Sequence, residues 1–372
     1  MTLNPLTCGS DHAVWVRGSS GMAGNWGHGR CPRPHSGLWS LPGVSSVQHV
    51  ALIGLKSECY HPPQAGVHTI NSKAARCRRC CPCSAAAMGY VSLVNRTRRL
   101  LRIQNQLARE CLAELLAVFV LILITLGGSA QMVTSSGTKG NIITSSLAGA
   151  LAVMVAIYTA GGVSGAHLNP AFSLSMSLLG QLPWWKFPIF VAVQIFGSFI
   201  AAGAVYALYY DAIWSYSNGT LTTSGPRETA SIFATYPAEH LSLPNGFLDQ
   251  VVGTAVLIVG ILAITDTRNR AVPRGLEPPA VALLVLSIEV SMGSNCSCPM
   301  NPARDLGPRL FTLLAGWGTE VFSRGSWWWW VPVLAPLVGA VLGTALYQLF
   351  VAFHHPDEEE LDGGRACRQT RH

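Results

Sequence analysis

Two copies of Asn-Pro-Ala, Asn169-Pro170-Ala171 and Asn301-Pro302-Ala303, are the residues whose type and spacing carry the most chemistry in this sequence. Asn is among the best N-cap residues, and Pro suits the first helical position because its missing N–H would have had no partner there. Each triplet should therefore start a helix. The apolar stretches that follow, residues 172–179 and 305–314, are too short to cross a membrane. A single Asn-Pro is ordinary, as Asn4-Pro5 shows. Two triplets 132 residues apart, each heading a half-length apolar stretch, are not.

The ionisable residues point away from catalysis. Glu114, His167 and Asp249 could be assembled into a catalytic set, but no nucleophile stands beside a base. No enzyme, cofactor or resident metal is expected. The cluster Cys77-x-x-Cys80-Cys81-x-Cys83 has the spacing of a zinc or palmitoylation site, set against the plainer reading of an unstructured tail.

The 372-residue chain that must hold these residues is 49% hydrophobic and 12% charged, with a mean hydropathy of +0.34. A soluble domain carries near 25% charge. Apolar runs recur at residues 110–131, 144–161, 184–210, 247–265, 279–292 and 327–353. These predict six spans, each of about 20 residues across a ~30 Å hydrocarbon core. The net charge of +7 is uneven: residues 1–95 hold eight Lys/Arg against Asp11 and Glu58, while residues 96–372 hold seventeen against sixteen acidic groups. No basic stripe of the kind that binds nucleic acid appears in the apolar part. Seven of the eleven cysteines also lie before residue 96, so no disulfide scaffold is expected.

Residues 1–95 are expected to be a disordered or spurious extension with no cleavable signal peptide, Met88 being the alternative start. Residues 96–356 form the helical domain, and residues 357–372 a cytoplasmic tail. Arg96, Arg98, Arg99, Arg102 and Arg109 before span one, and Arg268, Arg270 and Arg274 between spans four and five, place those segments and both termini in the cytoplasm. Asn218-Gly219-Thr220 then falls outside and is a glycosylation acceptor, whereas Asn95-Arg96-Thr97 should be unused. Each triplet follows the second span of its three-span half. The halves are therefore inverted, and the working site is expected at mid-membrane. There the two positive helix ends meet, repelling cations, while the Asn side chains donate to passing hydroxyls.

The run from Ser164 through Gly165, Ala166, His167 and Leu168 to Asn169-Pro170-Ala171, and Asn301-Pro302-Ala303-Arg304-Asp305, resemble the two signature loops of the aquaporin superfamily. Asp305 and Pro336-Leu337 resemble its glycerol-conducting branch, and the likeness covers about residues 98–356. It implies an all-α membrane protein with six transmembrane helices plus two half-helices, acting as a passive channel for glycerol, water and urea-like solutes. It also implies a homotetramer in the lipid bilayer of the plasma membrane. Carried over from the motifs, the selectivity filter falls on Gly149, Glu289, Cys298 and Arg304. Glu114 and Gln250 match positions that brace the loops. His167, beside the first motif, is a candidate pH sensor. Glu289 departs from the branch, which usually has Gly there. The expectation is that its carboxylate pairs with Arg304 across the opening and lowers flux, the alternative function being a conduction-impaired member of the branch. Cys298 is a candidate mercurial target, with Cys296 its rival.

Overall fold

In the computed structural model the described residues are 84–356 apart from 271 and 274. The cysteine cluster at 77–83, the extension before it, Arg274 and the tail lie outside them. Eleven α-helices follow one another among the described residues, with no strand: α1 (Ser84–Leu101), α2 (Gln106–Thr134), α3 (Ile142–Ala160), α4 (Pro170–Leu178), α5 (Phe187–Leu208), α6 (Tyr210–Tyr216), α7 (Leu243–Thr265), α8 (Glu277–Met292), α9 (Pro302–Thr312), α10 (Glu320–Trp327) and α11 (Val331–Phe350).

The expected half-helices are α4 and α9. Asn169 and Asn301 are their N-caps, in extended conformation, with Pro170 and Pro302 opening the helices. Five stretches are long and apolar enough to cross a membrane: α2, α3, α5, α7 and the α10–α11 run Glu320–His354. The expected fifth span, α8, has 16 residues, about 24 Å at 1.5 Å each. It is short because Pro278 and Pro279 open it and the chain leaves the helix at Gly293 to turn back into the protein. Helix α1 runs from Ser84 to Leu101, across residue 95 where the extension was expected to end.

The inverted halves are α2–α5 and α7–α11, and they interlock. In the first half α2 packs on α3 and α5; in the second α7 packs on α8 and α11. Half-helix α9 lies against α5, and α4 against α11, so each half holds the short helix of the other. Small residues permit this closeness. A Cβ on Gly307 would come 2.6 Å from the Ile195 carbonyl oxygen of α5. In α11, Gly339-x-x-x-Gly343 faces α7, where added Cβ atoms would lie 2.5 Å from the carbonyl oxygens of Val251 and Ala255. Apolar burial drives no helix pairing in lipid, so backbone approach over small residues supplies the packing. Beyond the end of α7, Asp266 accepts hydrogen bonds from Arg268 and from Tyr347 of α11, tying the two helices at one end. Its hydrogen bonds to Arg268 hold its carboxyl well below the usual carboxylate range.

Replacing Gly343 with Leu should force α7 and α11 apart. The expected loss is about 1–3 kcal/mol, the usual cost of overpacking, read as a lower unfolding midpoint of the detergent-solubilised protein; an unshifted midpoint would show that the contact does not hold the halves together.

Candidate functional site

The two Asn-Pro-Ala turns meet. Asn169 Oδ1 accepts from the Ala171 N–H at 2.8 Å, and its Nδ2 donates to the Met300 carbonyl at 2.8 Å. Asn301 mirrors it. Its Oδ1 accepts from Ala303 N–H (3.0 Å) and Arg304 N–H (3.3 Å), and its Nδ2 donates to the Leu168 carbonyl at 2.9 Å. Each asparagine thus caps its own half-helix and clasps the residue preceding the other asparagine. An amide nitrogen carries two hydrogens, so each Asn keeps a second donor beyond this clasp.

The approach to each triplet repeats the same backbone. Positive φ occurs four, three and one residues before each asparagine: Gly165, Ala166 and Leu168 in one loop, Ser297, Cys298 and Met300 in the other. For non-glycine residues this conformation is costly and persists only where the surroundings over-determine it. In the first loop the determinant is Glu114 of α2, fully buried. Its Oε2 accepts from Ser164 Oγ (2.8 Å) and His167 N–H (3.2 Å), and its Oε1 from Leu168 N–H and Gln194 Nε2. His167 Nδ1 shares a 3.1 Å hydrogen bond with Ser173 Oγ, which also accepts from Gln194. Its ring lies between Phe172 and Phe190, with centroids 5.3 and 5.1 Å away.

The second loop is held differently. Gln250 is buried, but its Nε2 reaches only Cys296 Sγ at 3.6 Å, and its Oε1 has no partner. The neighbouring Asp249 makes the firm contacts, accepting from Asn295 Nδ2 (2.7 Å) and Cys296 Sγ (3.1 Å). The carboxylate of this half therefore sits one residue before the position expected to brace.

Above the second loop, α9 is fastened to the 233–236 segment. Asp305 and Arg309, both wholly buried, pair at 2.7 Å; Asp305 also accepts from the Thr235 N–H at 2.8 Å and from the Thr235 hydroxyl. Arg309 donates to the Thr235 carbonyl at 2.7 Å, and Arg304 to the Phe233 carbonyl at 2.9 Å. Two guanidiniums lie over the Tyr236 ring, Arg309 at 4.7 Å and Arg324 at 4.1 Å from its centroid. Neither Arg309 nor Arg324 was singled out from the sequence. Arg309, a second arginine one helical turn beyond Asp305 on a short intramembrane helix, is the one that carried a signal.

All of this surrounds one cavity of about 700 Å³, lined by Asn169, Asn301, Gly149, Glu289, Cys298, Arg304 and His167 among others. The expected filter residues are thus brought together. One expectation fails: Glu289 and Arg304 form no ion pair. Arg304 is held by the Phe233 carbonyl, whereas the Glu289 carboxylate turns to α3. There a Cβ on Gly149 would lie 3.4 and 3.5 Å from its oxygens. Cys298 Sγ is seated over Gly253, where a Cβ would come within 2.9 Å. Asn218 is exposed in the turn after α6, with φ of 55°.

Residues 102–347 match the major intrinsic protein family. The chain is 65% identical over 260 residues to Aquaporin-10 of Homo sapiens, covering 70% of this chain and 86% of that protein. It is 50% identical over 259 residues to Aquaporin-9 of Homo sapiens, covering 70% and 88%. Among solved structures, the aquaglyceroporin from Plasmodium falciparum superimposes with a TM-score of 0.60 at 29% identity, covering 66% of this chain and 97% of that one.

Replacing Asp305 with Ala would strand Arg309 without its counter-charge and should cost about 3–5 kcal/mol. Adding Arg309→Met in the same chain should recover much of that loss. Thermal unfolding of the two variants checks both; equal midpoints for wild type and the single variant would show that the pair does not secure α9.

Proposed function

The chain belongs to the major intrinsic protein family, and from that premise we propose how it works as a passive channel for glycerol, related small neutral solutes and water. It is an integral membrane protein and not an enzyme. The observation that carries the mechanism is the mutual clasp of Asn169 and Asn301 within one cavity. Each half-helix presents a positive end, worth about half an elementary charge, to the same point. Cations are repelled there. A hydroxyl or water oxygen accepts the remaining Asn N–H, and passes on without any step needing an ion gradient.

The constriction is assigned to Gly149, Glu289, Cys298 and Arg304. Arg304 donates to solute oxygens from a guanidinium held in place by the Phe233 carbonyl. Gly149 gives room that a larger side chain would take, and the Glu289 carboxylate occupies part of it. Asp305 marks the glycerol-conducting branch by fastening the outer loop to α9. Glu114 braces the first loop; Gln250 shares the second with Asp249. His167 is the candidate pH sensor, since its ring nitrogen joins the Ser173–Gln194–Glu114 network at the cavity wall. Urea joins the solutes on size and hydrogen-bonding grounds. A homotetramer in the plasma membrane, with both termini cytoplasmic and Asn218 glycosylated outside, completes the assignment. Its channel domain spans residues 96–356, between an N-terminal extension and a cytoplasmic tail.

The position of Glu289 favours a second reading, a channel with impaired conduction, because the carboxylate faces the cavity and makes no contact ion pair with Arg304. Proteoliposomes in a glycerol gradient, with no ion gradient, test both. The wild type should re-swell faster than protein-free vesicles, and Glu289→Gly should raise the glycerol rate on the order of fivefold, about 1 kcal/mol of barrier. Wild-type flux at background with a conducting Glu289→Gly variant would establish the impaired reading; background flux in both would remove the channel reading. Equal, substantial flux in both would clear Glu289 of any restricting role.

A further inference from the structure

Helix α1 has no part in the channel, and its residues from Ser92 to Leu101 are all exposed. Their order is not random. At 100° per residue, Leu93, Val94, Thr97, Leu100 and Leu101 share an arc of about 120°, while Arg96, Arg98 and Arg99 fall on the remaining face. The turn continues through Arg102, whose N–H donates to the Arg98 carbonyl at 3.0 Å. From Ser84 to Arg109 the sequence contains five arginines and no acidic residue. The leucines are far from buried: Leu93 is 62% exposed and Leu100 is 76% exposed. No described residue covers the apolar stripe.

We propose that α1 lies in the plane of the bilayer surface and binds anionic lipid, its apolar stripe entering the acyl boundary and its arginines pairing with headgroup phosphates. Three observations select this occupant. Only residues 102–105 separate α1 from the span α2, a reach of at most about 14 Å, so the basic end of α1 cannot leave the membrane interface. The charge is one-signed, as attraction to anionic lipid requires and as a solvated helix face with mixed charges would not be. Arginine forks match phosphate oxygens two at a time. The orientation proposed above puts this surface on the cytoplasmic leaflet, where anionic lipid is concentrated.

The experiment uses the full chain in nanodiscs, which expose both leaflets and so do not depend on topology. Discs of phosphatidylcholine alone are compared with discs containing about 30% phosphatidylserine at low salt. Thermolysin cleavage at Leu93, Val94, Leu100 and Leu101 is followed by mass spectrometry, with cleavage between α5 and α7 as internal reference. The expected result is cleavage about tenfold slower in anionic discs, a difference lost in about 0.5 M salt. The variant Arg96→Gln/Arg98→Gln/Arg99→Gln/Arg102→Gln should be cut equally fast in both. Equal rates for the wild type in the two discs would overturn the proposal. So would equal protection in both, which would mean that protein or neutral lipid covers the stripe. None of these readouts depends on glycerol flux, so the proposal and the channel reading fail separately.

Discussion

A chain that re-enters a bilayer from both sides must satisfy its backbone where neither water nor a continuous helix can do it. In this protein that constraint is met by two side chains. Asn169 and Asn301 each close the N-terminus of a half-helix and hold the carbonyl just before the other asparagine. The clasp is reciprocal, so neither loop can keep its conformation if the other moves. It also explains why the same three backbone positions adopt positive φ in both loops. The turn that brings a carbonyl to the opposite amide is the same turn, repeated with inverted sense.

The clasp needs walls that do not yield, and the two halves build them from different materials. The first loop is held from one side by a single buried carboxylate, Glu114, whose oxygens take four donors. The second is held from two sides. Asp249 grips Asn295 and Cys296, and the buried Asp305–Arg309 pair fixes α9 to the 233–236 segment. A lone buried ion pair is a weak source of stability, but a pair whose remaining valences are taken by backbone groups gives definite geometry. The Thr235 and Val321 carbonyls fill that role for Arg309.

Much of this was legible in the residues. The triplets located both half-helices, the apolar runs located their supports, and a glutamate inside a span announced a polar partner for Glu114. Three features were not legible, each for a physical reason. Adjacent residues on a helix point about 100° apart, so sequence alone does not say whether Asp249 or Gln250 faces the loop. A stripe of five small and medium residues among arginines is too slight to separate from an unstructured leader, which hid α1. The Glu289–Arg304 pairing was inferred from opposite charges near one opening, without knowing that the Phe233 carbonyl already engages the guanidinium.

The separation of Glu289 from Arg304 affects how such an opening would exclude charge. Opposite unit charges facing one cavity offset each other at a distance, so an ionised Glu289 would cancel most of the far field of Arg304. One Arg304 nitrogen is held by the Phe233 carbonyl, so the guanidinium faces the cavity as a separate charge and not as half of a contact pair. The remaining barrier to cations would then fall on the two capped helix ends, whose partial charges are fixed by backbone geometry and do not titrate. Width is shared in the same way. Gly149 leaves open the space that Glu289 approaches from α8, so in the proposed constriction the free width would depend on the facing pair and not on either position alone.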